Sequence, residues 1–493
     1  MGYLNLPDIM WVTVAIVLVF VGLLWSLTGR RRGLPPGPPC YPIVGNLGCI
    51  KPSDSTEAHR RLRKIHGDIY TVMIFHKPVI VVHGFHHIQE LFVRFGYMFS
   101  DRPKVYFSEV VTKGKGVIWT SGALWKEQRT FVLTTMRKFG FGRRCMESHI
   151  MEEIDCVLDE FEKYKNDAFD IQTLLNISVS NVICSVFFGK RFCYDDTKFK
   201  RLIALLNKLI ASINGSSPAF IFPWLRHFRI FNLDKTMEYA NAMFDFVTEI
   251  VEEHRESFDE NNINDYIDAY LLEQKQRGNE PDTTFTDEQL NHSLRDFFVA
   301  GTETTSTTLR WALLYLIHHQ DWQKTLQNDI DDVIGQAQPK MEHKDELPRI
   351  EAFILEVQRS ANIAPVSVPH TSNEDFIYHG YIFPKGAIVF GALDSVMSDP
   401  EIFPEPSTFK PERFLNDIGK CYGDQKTKMI PYSIGMRSCL GESLARMELF
   451  LFLTRFLQKF EVEPEDPDHL PSLDGTLGIT NMPQPFNLRL VKR

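Results

Sequence analysis

The chain lacks several features that would place it elsewhere. Its 493 residues carry 54 Lys and Arg against 63 Asp and Glu, a net charge of −9. Without a basic excess, nucleic acid is not an expected partner. Eight cysteines (40, 49, 145, 156, 184, 193, 421 and 439) are scattered with no Cys-x-x-Cys pair. That spacing argues against a structural zinc site or a disulfide framework and fits a reducing compartment. There is no internal repeat, no long low-complexity segment, and no Rossmann or flavin glycine signature. The length suits one large domain or two to three ordinary ones.

One hydrophobic run stands out. Ile9 to Leu27 is 19 residues with only Thr13 and Ser26 polar, long enough to cross a bilayer as a helix. Asp8 precedes it, and Arg30, Arg31 and Arg32 follow. The positive-inside rule then expects the N-terminus in the lumen and the residues after 30 in the cytosol. A cleaved signal peptide fits less well, because a basic n-region and a small-residue cleavage site are missing. The expected organisation is a signal-anchor segment over 1–33 and one domain over 34–493. Pro35, Pro36, Pro38 and Pro39 make a stiff hinge at the start of that domain. The sequons at Asn176, Asn214 and Asn291 should then stay unmodified, out of reach of lumenal enzymes.

Periodicity gives the rest of the architecture. Thr71 to Val82 reads as a hairpin split by His76-Lys77-Pro78. Amphipathic stretches predict helices near 122–138, 147–165, 171–187, 197–212, 234–258, 286–319, 321–334 and 348–362. A second β-rich patch covers 376–391. The predicted fold is mainly α with small β-sheets. Thr286 caps the longest helix, with Gln289 completing a capping box.

The chemistry gathers around Pro431-Tyr432-Ser433-Ile434-Gly435-Met436-Arg437-Ser438-Cys439-Leu440-Gly441. An apolar helix-forming run, Leu444 to Leu457, follows. Cys439 therefore sits just before a helix N-terminus, where the dipole and free N–H groups favour thiolate. Gly435 supplies a sharp turn, and Gly441 lets a flat ligand approach the backbone. Arg437 is placed to pair with an anionic group of that ligand. A lone thiolate of this kind suits the axial ligand of a haem. A buried free cysteine in a turn is the plain alternative. In the long helix, Ala300-Gly301-Thr302-Glu303-Thr304-Thr305 is a poor helix interior, and Thr304 can bond back to the carbonyl of Ala300. That would bend the helix and open a groove for a diatomic molecule. Phe297, Ala300, Gly301, Thr304 and Thr308 are expected on one face.

At these residues the chain resembles the cytochrome P-450 family. Its signature Phe-Ser/Gly-x-Gly-x-Arg-x-Cys-x-Gly is matched except that Tyr432 stands in the Phe position, adding a hydroxyl that needs a partner. The likeness is to microsomal family 2, nearest the subfamily J type. It implies the P-450 fold, preceded here by one transmembrane helix. It also implies haem b (iron protoporphyrin IX) held by the thiolate of Cys439, the metal ligand. The further cofactor contacts that it implies are Arg437, Trp125, Arg129, Arg102, His370, Ala300 and Gly441. Glu303 and Thr304 match the oxygen-activation motif and would deliver protons, with Asp296 in support. Glu356, Arg359 and Arg413 match a structural triad of the haem-side core.

Positions matching the family's substrate-contact regions are Trp119, Ile118, Phe297, Ala300, Ala364, Val366, Val368 and Ile479. They are largely apolar, so lipophilic substrates are expected; the resemblance implies fatty acids first, then steroids and xenobiotics. The implied activity is a monooxygenase inserting one atom of O2 into such a substrate, by hydroxylation or epoxidation. Electrons would come from NADPH through a separate NADPH-cytochrome P-450 reductase, with cytochrome b5 as a second candidate donor. The implied setting is the endoplasmic reticulum membrane, with the catalytic domain on the cytosolic side in contact with lipid. Between Trp125 and Arg144, six basic residues (126, 129, 137, 138, 143 and 144) face only Glu127. They suggest a docking face for an acidic partner. A haem-thiolate isomerase that does not use O2, and a non-catalytic haem carrier or sensor, remain as alternatives.

Overall fold

The structure, a computed structural model, describes residues 6–28, 32–41, 44–46, 48–50, 55–139, 144–213, 233–278, 280–421 and 423–493. The expectations resting on Arg30, Arg31, Arg143 and Asn214 fall outside them. A first helix spans Leu6–Thr28. Its described side chains are those of 10–23, exposed and apolar apart from Thr13. Among the described residues no helix is long and apolar enough to cross a membrane.

The remainder divides into two compact units, one of residues up to 103 with 366–395, the other of 104–365 with 396–493. The first holds strands β1 (Ile69–Ile74), β2 (Lys77–Val82), β3 (His370–Thr371), β4 (Phe376–Tyr378), β5 (Tyr381–Phe383) and β6 (Ile388–Gly391). Four of them form a sheet in the order β1-β2-β6-β3, with β2 and β6 parallel. β4 and β5 pair separately. The hairpin turn is tighter than the sequence suggested. Ile74 pairs with Lys77 and Met73 with Pro78, so only Phe75 and His76 turn. Phe75 takes the left-handed φ of 53° that a two-residue turn demands. Pro78 is tolerated because the pairing of β2 with β6 starts at Val79.

The second unit is helical. Its main helices run over Gly122–Lys138, Arg144–Glu162, Gln172–Phe187, Thr197–Ser212, Leu233–Ser257, Asp287–His318, Gln320–Val333, Pro348–Ala361 and Glu442–Lys459. The first eight lie within three residues of their predicted bounds. Two small antiparallel sheets close the chain, β7 (Phe460–Pro464) with β10 (Leu488–Lys492), and β8 (Gly475–Leu477) with β9 (Asn481–Pro483). The long helix Asp287–His318 is buried along most of its length and packs against Gln172–Phe187, whose side chains are buried almost throughout. Close approach at this contact requires glycine. A Cβ at Gly301 would stand 2.5 Å from Cδ1 of Ile183.

The cap of the long helix is half of the expected box. The Thr286 hydroxyl accepts from the Gln289 N–H at 3.2 Å. The Gln289 side chain does not reach back. It donates to the Gly116 carbonyl (3.0 Å) and to Ser293, and accepts from the Gly116 N–H (3.2 Å). Burial explains the choice, since the amide must satisfy its own polar atoms inside the core.

Candidate functional site

Cys439 lies on the loop that enters the helix Glu442–Lys459, whose N-cap is Gly441. The loop is fixed by backbone bonds: the Cys439 N–H donates to the Tyr432 carbonyl (2.9 Å), and Ser438 to Gly435 (3.1 Å). Ser433 and Gly435 both adopt positive φ, 57° and 83°. The residue is exposed, yet enough protein surrounds the thiol that desolvation pushes its pKa up. Backbone N–H groups of Gly441 and Glu442, and the charge of Arg129, pull the other way. The helix start thus aids the thiolate as expected, but in the protein by itself desolvation outweighs it.

Arg437 is buried, and its guanidinium lies 3.8 Å from the ring centroid of Trp125. It donates to the carbonyls of Thr120 (2.5 Å) and Val117 (3.5 Å). Arg129 donates to the carbonyl of Ser438 at 2.7 Å, beside the cysteine, and burial lowers its pKa. Trp125 and Arg129 share one helix face, but the stack on the indole is made by Arg437. Lys126, Arg137 and Lys138 are exposed, whereas Arg129 is turned inward and Glu127 is paired with Arg277 (2.6 Å).

The hydroxyl of Tyr432 finds its partner in Gln358, whose Nε2 donates to it at 2.7 Å. Arg446 lies 5.0 Å from the Tyr432 ring centroid. Burial pushes this phenol up to about 12. Nothing in the sequence singles out Gln358, which sits between Glu356 and Arg359 and draws less notice than either.

The residues fit a haem. Cys439 is exposed on a hydrogen-bonded loop, the Arg129 guanidinium acts on its thiol, and a Cβ added at Gly441 would meet no heavy atom within 4 Å. Cys439 would supply the iron ligand; Arg437, Trp125 and Arg129 are the cationic and donor groups suited to carboxylates.

On the long helix the Thr304 hydroxyl donates to the Ala300 carbonyl at 2.8 Å. Ser306 and Thr308 bond back in the same way, to Thr302 and Thr304. The helix nevertheless runs unbroken through 300–305, so the expected opening is absent as a break in the helix. Along the expected common face the surroundings differ. Ala300 is exposed and Thr304 half-buried. Gly301 faces Ile183, and Phe297 stacks on Phe187 with centroids 4.4 Å apart. At about 100° per residue the five still fall within one arc of about 100°, with Thr304 between Ala300 and Gly301. Glu303 is buried, and its Oε1 accepts from Thr307 (3.2 Å) and Thr480 (3.0 Å). Desolvation raises its pKa. Asp296 is equally buried and accepts from the N–H groups of Val117 (2.9 Å) and Ile118 (3.1 Å). It thereby fixes the segment carrying Ile118 and Trp119, both half-buried.

Within the first unit, Arg102 donates to the carbonyls of Val368 (3.0 Å) and Pro369 (2.8 Å). His370 bonds through Nδ1 to the Phe99 carbonyl (2.7 Å) and stacks on Phe92 at 4.0 Å. Val366 and Val368 are exposed on either side of buried Ser367, as alternation in an extended chain requires. In the second unit Ala364 is half-buried and Ile479 exposed.

Glu356 is fully buried. It accepts from Arg359 at 2.7 and 2.8 Å and from Arg413 at 3.1 Å. The remaining guanidinium donors reach the carbonyls of Met397, Pro404, Pro406 and Thr408.

A cysteine-bearing loop before a helix, an arginine acting on its thiol and a threonine-rich turn on a long helix point to a haem-thiolate oxidoreductase. Residues 35–490 match the family described as Cytochrome P-450. Human cytochrome P-450 2U1 is 35% identical, covering 97% of this chain and 92% of that protein. Human cytochrome P-450 2C8 is 37% identical over 94% and 95%, and cytochrome P-450 2C20 of Macaca fascicularis 37% over 97% and 98%. The chain belongs to the cytochrome P-450 family, within family 2. Members are monooxygenases that bind haem b through a cysteine thiolate. These relatives belong to subfamilies U and C; the likeness to subfamily J rests on the sequence reading.

Proposed function

We propose that this protein is a membrane-anchored monooxygenase of lipophilic substrates, with Cys439 as the axial ligand and the Glu303–Thr304 pair as its proton-delivering groups. When bound, the haem supplies the oxygen activation. The chain's own part is to hold the thiolate, orient the substrate and move protons. The observation that carries the reading is the Thr304 hydroxyl, bonded to the Ala300 carbonyl at 2.8 Å with Ala300 exposed beside it. A hydroxyl held by one bond keeps its lone pairs for another donor. Glu303, one residue away, is a buried carboxyl whose proton affinity desolvation raises.

Apolar Val366 and Val368, exposed in the first unit, support a lipophilic substrate; the ranking of fatty acids ahead of steroids and xenobiotics comes from the family resemblance. The exposed apolar helix at 10–23 supports an anchor, with residues 34–493 on the cytosolic side of the endoplasmic reticulum. Exposed Lys126, Arg137 and Lys138 support docking of an NADPH-dependent reductase, or of cytochrome b5, through acidic groups.

The test is reconstitution with reductase, NADPH and a panel of lipids. Product formed per NADPH is compared for wild type and Thr304→Ala. The variant should fold and consume NADPH while losing product to hydrogen peroxide, by roughly tenfold or more. Product per NADPH equal to wild type would remove Thr304 from the relay.

A further inference from the structure

The second unit contains a buried charge that the activity so far leaves unused. Arg310 lies on the long helix, 3% exposed. Among the described residues its guanidinium makes no hydrogen bond and no ion pair, and its Nε is buried without a partner. Its nearest ring is Phe486, with the centroid 6.0 Å away. An unpaired cation in a core is among the more expensive things a fold can carry. Natural cores accept such costs mainly where function needs them.

The charges acting on Arg310 are informative. Burial disfavours its charge, and two carboxylates favour it through space, Asp170 and, to a smaller extent, Glu303. Glu303 is seven residues before Arg310, two helical turns along the same face, and Thr307 lies between them. The hydroxyls of Thr307 and Thr480 hold the Glu303 carboxyl. Asp170 is exposed, and its carboxylate accepts from the Gln172 N–H at 2.9 Å. The guanidinium is thus coupled to an inner acid and to an outer one, in contact with neither.

We propose that Arg310 is a positioning residue for proton delivery, its uncontacted buried charge adjusting the proton affinity of Glu303 so that this carboxyl can both release and recover a proton. The inference rests on Glu303 and Thr304 being the proton-delivering pair. A stand-off distance is what the task requires. A contact ion pair would keep Glu303 ionised, with no proton to give. Without the cation, desolvation would raise its proton affinity further and make release harder. Arg310 carries no proton itself, since a guanidinium does not deprotonate at working pH. In each turnover RH, O2, two electrons and two protons give ROH and water. The O–H bond of the Glu303 carboxyl breaks, its electron pair stays on the carboxylate, and a proton from solvent restores it. Where delivery fails, O2, two electrons and two protons give hydrogen peroxide instead.

The experiment compares the haem-loaded full chain as wild type, R310M, R310K and E303Q. The carboxyl C=O infrared band of Glu303 is identified by its loss in E303Q and followed against pH. In R310M the band should persist to higher pH than in wild type, and R310K should restore the wild-type titration. Peroxide formed per NADPH should rise roughly tenfold in R310M, less than the loss expected for the acid itself. The E303Q/R310M double variant should uncouple no further than E303Q. The unfolding midpoint of R310M should equal or exceed that of wild type, because an apolar side chain replaces an unpaired charge. A band that titrates identically in R310M and wild type overturns the proposal, and so does a lower R310M midpoint with unchanged coupling. A shifted band together with a fully coupled E303Q overturns instead the assignment of Glu303 as a proton donor.

Discussion

Two buried arginine–glutamate groups in the same unit are built in opposite ways. At Glu356 the two guanidiniums of Arg359 and Arg413 close on one carboxylate, and each leftover donor finds a carbonyl. At Glu303 the carboxyl is held by neutral hydroxyls, and Arg310, two helical turns on, leaves its buried Nε without a partner among the described residues. The residue types are the same; the number of satisfied bonds differs. Full satisfaction fixes a charge state and a geometry, which suits a lock. Partial satisfaction leaves the charge state open, which suits a group that must change it.

The comparison breaks most visibly at the lock. Glu356→Ala should leave two buried guanidiniums without their carboxylate, at a cost of about 3–5 kcal/mol. Most of the protein should fail to accumulate as folded, haem-loaded material, as read by chemical unfolding and by the yield of the reduced carbon-monoxide complex. A variant as stable as wild type would mean that the bonds to backbone carbonyls suffice.

A third buried carboxyl sharpens the contrast. Glu448 has one oxygen 3.3 Å from the Thr305 hydroxyl and the other without a partner among the described residues. Burial pushes its pKa up to about 8. A carboxyl raised in the folded state destabilises the fold progressively as pH climbs from its unfolded value to the folded one. The penalty should therefore grow between about pH 4.5 and pH 8. Glu448→Gln removes it, so the variant should gain on wild type across that window, by an amount on the order of a few kcal/mol. Urea unfolding at pH 5 and pH 8.5 measures the difference. An unchanged gap between the two proteins at both pH values would show that Glu448 does not titrate there.

The pair of Tyr432 and Gln358 is a neutral version of the same question. Tyr432→Phe removes one bond and strands the Gln358 amide, which should cost about 1–2 kcal/mol in unfolding measurements. Tyr432→Phe combined with Gln358→Leu should recover most of the loss, because both polar groups go together. Failure to recover would mean that Gln358 has another task in the core.

Exposed charges should matter least. Reversing Lys126, Arg137 and Lys138 should leave stability within about 0.5 kcal/mol. Reduction by reductase should slow several-fold at low salt, with the difference shrinking as salt rises. Equal reduction rates at low salt would count against this face as the docking surface.

The sequence by itself determined the element order, the cysteine loop, the Glu356 triad and the family. The elements and the loop are local: amphipathic periodicity draws the helices, and Gly435, Arg437, Cys439 and Gly441 sit within seven residues, whereas Arg413, 57 residues beyond Glu356, joined the triad only through the family resemblance. It could not place the partners of buried polar groups. Gln289 looked like a capping residue and binds Gly116 instead; Asp296 looked like proton support and clamps Val117 and Ile118. On one face of the long helix Gly301 meets Ile183 while Ala300 stays exposed. Gln358, Thr480 and Arg310 drew no notice at all. Only the tertiary structure decided these, because a hydrogen bond is short and directional. Its partner is whichever group the packing brings within about 3 Å, and residues some 180 apart in the chain, such as Glu303 and Thr480, carry no mark of it in their order.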